Sequence, residues 1–203
     1  MMRRPPLGLI LGFVVLQGFL SMGFQLVTSR LLAPFFGTTI IVWAYLISTF
    51  LAGFSIGSFL GGAVSQLAGQ PRRVALAVVG VIGVAGFGAV AFAARPLLNV
   101  LDLTFPDGST GIGIACALLF FLPVVALSAL LPVYADLIGR DRAGASSGLV
   151  YGTSTLGNIT GVMVTAFVLI PNFPTSALLA GWFACSILCF LAAPALIPRQ
   201  PRS

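Results

Sequence analysis

The chain has 203 residues, 59% of them hydrophobic and 7% charged, with a mean hydropathy of +1.12; soluble domains are about a quarter charged, so these values point to an integral membrane protein. All ten basic residues are Arg, all four acids are Asp, and His, Lys and Glu are missing, which excludes a Ser-His-Asp triad, a Schiff-base lysine and a histidine metal site. The net charge of +6 and the pI near 10.3 do not indicate a nucleic-acid partner, because the arginines fall in short clusters between apolar runs and read as topology signals.

After a short basic lead, MMRRPP, six apolar runs predict transmembrane helices over about 7–29, 38–67, 74–94, 111–138, 147–170 and 176–197. Each reaches or exceeds the roughly 20 residues that cross a bilayer. The first is longer than the about 7 to 15 residues of a signal-peptide core and has no small-residue cleavage site, so it is expected to stay as a helix. With the amino terminus inside, eight arginines (3, 4, 72, 73, 140, 142, 199, 202) lie on the cytoplasmic side and two, Arg30 and Arg95, on the other. The expectation is therefore an inner-membrane, multi-pass protein with both termini cytoplasmic.

The stretch 22–43, MGFQLVTSRLLAPFFGTTIIVW, carries Gln25, Arg30 and a Pro-Phe-Phe-Gly break between two spans. Polar groups in a span are costly, so Gln25 and Arg30 are candidate functional residues; an interhelical hydrogen bond for Gln25 and a snorkelling role for Arg30 are the alternatives. The first helix is expected to end before Pro34, which would let Arg30 bend toward the outer mouth of the bundle, there to select anions or hold a helix end. The connection 96–110, PLLNVLDLTFPDGST, reads as an outer segment along the membrane surface that ends in a Pro106-Asp107-Gly108 turn. Its Asp102 and Asp107 read as solvated loop acids, too few for the six to eight or so oxygens of a calcium site. Cys116, Cys185 and Cys189 lie in apolar runs and read as small hydrophobes.

Two further patterns run through the spans. Gly53, Gly57 and Gly61 on the second helix, and Gly148, Gly152, Gly157 and Gly161 on the fifth, recur at spacings that let helix backbones approach closely. Packing within the six-helix unit and contact with another subunit are both open. Polar residues also align: Gln17, Ser21, Gln25 and Thr28 on the first helix, and Tyr151, Thr155 and Asn158 on the fifth. They line a common cavity or form interhelical hydrogen bonds. The fourth helix adds Ser128, Pro132, Tyr134 and Asp136, with Asp136 expected to pair locally with Arg140 or Arg142.

Two stretches, SMGFQLVTSRLLAPFFGTTIIVW with FLAGFSIGSFLGG, and 120–171 with its R-x-G-x-x-x-G-x-x-Y and S-T-L-G-x-x-x-G character, resemble the membrane region of bacterial spermidine-synthase-like fused proteins. The Arg142-Ala143-Gly144 turn and the Gly61-Gly62 helix end before Arg72-Arg73 also look like half of a major facilitator transporter. The resemblance implies an all-α integral membrane fold, a six-helix half-major-facilitator-like bundle forming a single domain over 1–203. The chain departs from it in carrying Gln25 where an acid is expected, and in having only PRQPRS after 197. No aminopropyltransferase activity is expected of this polypeptide alone, and no catalytic residue, cofactor or metal. Two functions follow: an anchor or accessory subunit for a membrane partner or a separately encoded aminopropyltransferase-like protein, to which the balance leans, or a half-size transporter that forms a homo-oligomer around a solute path.

Overall fold

The computed structural model describes residues 5–105, 108–139 and 143–196. Among them are six helices long and apolar enough to cross a bilayer: α1 (Leu7–Phe36), α2 (Ile40–Gln66), α3 (Gly69–Thr104), α4 (Ser109–Ile138), α5 (Gly144–Asn172) and α6 (Thr175–Ala195). The protein is a polytopic helical membrane protein. Large side chains such as Phe59, Val81, Phe92, Phe167 and Leu191 stand on its outside, a surface that only lipid or another apolar partner solvates well.

The expected spans are all present, and two of them run further than expected. α1 continues through Pro34 to Phe36 and stops at Gly37, whose φ of 74° is one that glycine adopts without steric cost. The end thus falls at the last residue of the Pro-Phe-Phe-Gly break. α3 continues through Pro96 to Thr104, so most of 96–110 is helix instead of a surface-lying connection. Leu98 and Leu101 are buried, and this packing outweighs the single hydrogen bond that Pro96 removes. At about 1.5 Å per residue, the 36 residues of α3 span roughly 54 Å, well beyond the roughly 30 Å hydrocarbon layer. The Pro106-Asp107 part of the expected turn, the Arg140 and Arg142 partners expected for Asp136, and Arg3, Arg4, Arg199 and Arg202 lie outside the described residues.

α4 and α5 each contain a widened π turn, at Cys116–Phe120 and Thr165–Leu169. Each lies a few residues before a proline, Pro123 or Pro171, which cannot donate the next ladder hydrogen bond.

The helices pair by a simple rule. α1 packs chiefly on α5 and α2 on α4, while α3 packs about equally on α6 and α4, and α1 also meets α6. Exchanging α1, α2, α3 for α4, α5, α6 leaves this pattern unchanged. α1 and α4 are the most buried spans, and α2, α3 and α5 the least. Phe24 of α1 forms the centre of the core, with ring centroids 4.8 Å from Phe87 of α3, 5.8 Å from Phe50 of α2 and 6.1 Å from Phe120 of α4.

The glycines explain the two tightest pairings. A Cβ on Gly53, Gly57 or Gly61 would run into Val124, Ser128 or Ala129 of α4, and one on Gly157 or Gly161 would meet the backbone of Val15 or Phe19 of α1. These five are therefore intramolecular packing residues. Gly148 and Gly152 differ: nothing lies within 4 Å of a Cβ at either, nor at Gly144 one turn earlier. Part of the fifth-helix ridge faces out of the bundle.

Candidate functional site: a polar cleft between α2 and α5

α2 and α5 stand on either side of a cleft floored by α1 and α4. At its middle is a cavity of about 170 Å³ lined by Ser21 of α1, Phe54 and Ser58 of α2, Ser128 and Leu131 of α4, and Tyr151, Ser154, Thr155 and Asn158 of α5. None of these residues is charged. Seven of the nine carry a hydroxyl or amide, which is unusual for a wall at this depth of a span. A second cavity, of about 240 Å³, continues along the cleft toward the arginine-rich end. It is lined by Ser65, Pro132, Ala135, Asp136, Gly139, Ser146, Ser147 and Tyr151. Tyr151 belongs to both cavities and stands at their junction. A larger groove, of about 530 Å³, lies between α3 and α6, but only apolar residues such as Val81, Val84, Phe190 and Leu191 line it, as suits lipid tails.

The cleft is polar because of the fifth helix. Ser147, Tyr151, Ser154 and Asn158 recur every three or four residues and so share one helical face, and Thr155 lies beside them. The Thr155 hydroxyl donates back to the Tyr151 carbonyl at 2.8 Å. On α4 the Ser128 hydroxyl lies 3.1 Å from the Gly53 carbonyl and 3.2 Å from that of Val125. The amide oxygen of Asn158 is enclosed and has no hydrogen-bond partner, a costly state for a buried acceptor.

Of the expected first-helix stripe, Ser21 reaches the cleft and the others do not. The Gln17 amide donates to the Leu127 carbonyl of α4 at 2.6 Å, so it is an interhelical tie. Thr28 bonds within its own helix to the Gln25 carbonyl at 2.9 Å. Gln25 is half-buried and lines neither polar cavity. Tyr134, a candidate from sequence, is 1% exposed and belongs to the hydrophobic core. Tyr151, Thr155 and Asn158 are brought together as the spacing suggests. Ser58 and Ser154 were not singled out from sequence, since a lone serine among small residues carries no period of its own.

Arg30 ties a helix end. One guanidinium nitrogen donates to the carbonyls of Ile170 and, at 3.1 Å, Phe173, while the Asn172 amide takes the Val168 carbonyl at 2.7 Å. These carbonyls close α5, where the helix leaves acceptors without partners and carries partial negative charge. Arg30→Ala is expected to lower stability by about 1 kcal/mol and to speed amide exchange at the end of α5, with Arg30→Lys in between because it keeps the charge but loses the planar fork. Unchanged exchange there in both variants would return Arg30 to a simple headgroup anchor.

Asp136 pairs over a long range. Its carboxylate accepts from Arg72 of α3 at 2.7 Å, and the two side chains are 9% (Arg72) and 13% (Asp136) exposed. Arg72 also reaches the Val133 carbonyl at 3.5 Å. Arg72 is thus a buried clamp between α3 and α4, and not only a loop arginine that sets topology. Among the described residues no group of three His, Cys, Asp or Glu is placed to hold a metal ion. Compared with known protein families, characterised proteins and solved structures, the chain matches none.

Proposed function

We propose that this chain is a six-helix, half-major-facilitator-like module, without enzymatic activity of its own, that pairs through its α2/α5 face with a second copy or a related half and so encloses a path for a small solute. The observation that carries the reading is the polar cleft, uncharged at midspan, on an otherwise lipid-suited surface. Left against acyl chains, Tyr151, which is 43% exposed, and the hydroxyls beside it would be poorly solvated. The open glycines at 144, 148 and 152 on the same helix let a partner backbone come close. The exchange symmetry of the helix pairs supports the two-times-three repeat of such a half. With the arginine-rich end in the cytoplasm, the cleft opens to that side.

The accessory-subunit reading, including a soluble aminopropyltransferase-like partner, is favoured by one feature. No residue lining the midspan cavity is an acid or a base, and coupled transporters normally bury one.

Cysteine chemistry tests the proposal. In a background with Cys116, Cys185 and Cys189 replaced by alanine, Tyr151→Cys is expected to react with a membrane-impermeant maleimide from the cytoplasmic side only. The protein in lipid nanodiscs is expected to be dimeric, and Gly148→Leu to shift it to monomer with unchanged thermal stability. A wild-type monomer whose Tyr151→Cys variant resists labelling from either side would overturn the proposal.

A further inference from the structure

We infer that the midspan cavity takes a small, uncharged, polyhydroxylated solute, an inference that rests on the solute-path reading above. Charge is decided first. An ion entering this cavity would leave its water and find no counter-charge, because none of the lining residues is ionisable apart from the Tyr151 phenol; an unpaired ion in such a place costs several kcal/mol. Among the described residues the charge that lines the cleft, Asp136, is bound to Arg72. A polyamine, whose cations require carboxylates, is the wrong chemistry for this wall.

The polarity of the wall then selects the kind of neutral solute. A hydroxyl has one proton to donate and two lone pairs. Thr155 spends its proton on the Tyr151 carbonyl, and the Ser128 proton faces the carbonyls of Gly53 and Val125. What both turn to the cavity is acceptor capacity. Asn158 adds an enclosed amide oxygen with no donor in the protein. Three acceptors from two helices face a space of about 170 Å³, far above the 10 to 15 Å³ or so that a single water needs. A solute of several heavy atoms with more than one O–H group satisfies them, and Phe54 and Leu131 offer its carbon skeleton an apolar side.

The test uses the full chain in proteoliposomes preloaded with radiolabelled xylitol, choline or lactate. Xylitol efflux is expected to exceed that of protein-free vesicles by about tenfold or more, with choline and lactate at the protein-free rate. Asn158→Leu is expected to reduce xylitol efflux about tenfold, as loss of one buried hydrogen bond implies. Thr155→Val, a nearly isosteric change at an exposed position, is expected to reduce it several-fold, and thermal unfolding checks that both variants are folded. Choline or lactate moving as fast as xylitol would overturn the inference, as would unchanged xylitol efflux in both folded variants. If Tyr151→Cys labels from the cytoplasm and the protein is dimeric, yet xylitol does not move, the polyol assignment alone fails. If labelling, pairing and efflux are all missing, the solute-path reading fails with it.

Discussion

Asp136→Leu is expected to destabilise the protein by about 3 to 5 kcal/mol, the range for removing one partner of a buried ion pair. The cause is the guanidinium left behind. Arg72 is 7% exposed, and one of its nitrogens, Nε, already has no partner, so without the carboxylate its charge loses its one ion-pair partner among the described residues. The double variant Arg72→Met/Asp136→Leu is expected to recover most of the loss, because buried ion pairs replaced by apolar groups of similar size are often neutral. Chemical denaturation in detergent measures all three. If the double variant were as unstable as the single one, the pair would be incidental and the cost would come from repacking at the end of α4.

The second large effect is expected at Gly157. A Cβ there would lie well inside van der Waals contact of the Val15 carbonyl oxygen, and that atom is backbone, fixed by the hydrogen bonding of α1. Gly157→Leu must therefore push α5 off α1, one of the two most extensive helix pairings in the bundle. Overpacking costs about 1 to 3 kcal/mol where side chains can give way, and the upper end or beyond is expected here. Gly57→Leu is the counterpart on α2, against Val125 and Ser128 of α4. Gly148→Leu is the control, since no atom stands near it. Equal unfolding temperatures for Gly157→Leu and Gly148→Leu would contradict the close approach of α1 and α5.

The number of spans and their positions were legible because about 20 apolar residues in a row have few other fates. Ends were less so. Pro34 and Pro96 read as helix stops, yet both lie inside helices, since burial of neighbours such as Leu32 and Leu98 outweighs a single lost bond. The polar stripe of Tyr151, Thr155 and Asn158 was legible from spacing alone. Its meaning was not, because a period of three or four says which residues share a face and nothing about what the face meets. For the same reason the glycines at 53, 57, 61, 157 and 161 looked the same as those at 148 and 152, although the first five touch a neighbouring helix and the last two touch nothing. Arg72 as a partner of Asp136 was not legible because of its distance along the chain, while the expected partners lie outside the described residues. Arg140 and Arg142 are neighbours of Asp136 in sequence, whereas Arg72 is 64 positions away.

The pairing of α1 with α5, α2 with α4 and α3 with α6 bears on how the protein is made. Every helix of the first triplet finds its principal neighbour in the second, so when α3 leaves the ribosome the glycine ridge of α2 has nothing to close on and Phe24 lacks Phe120. The hairpins α1–α2 and α2–α3 have little contact to hold them, α3–α4 being the one adjacent pair with an extensive contact, and the entropy of bringing distant segments together must be met before most of the packing forms. The bundle consequently matures late and nearly all at once, after α4 and α5 have entered the bilayer. Insertion machinery or lipid must shield the polar groups of α1 and the open ridge of α2 through that interval.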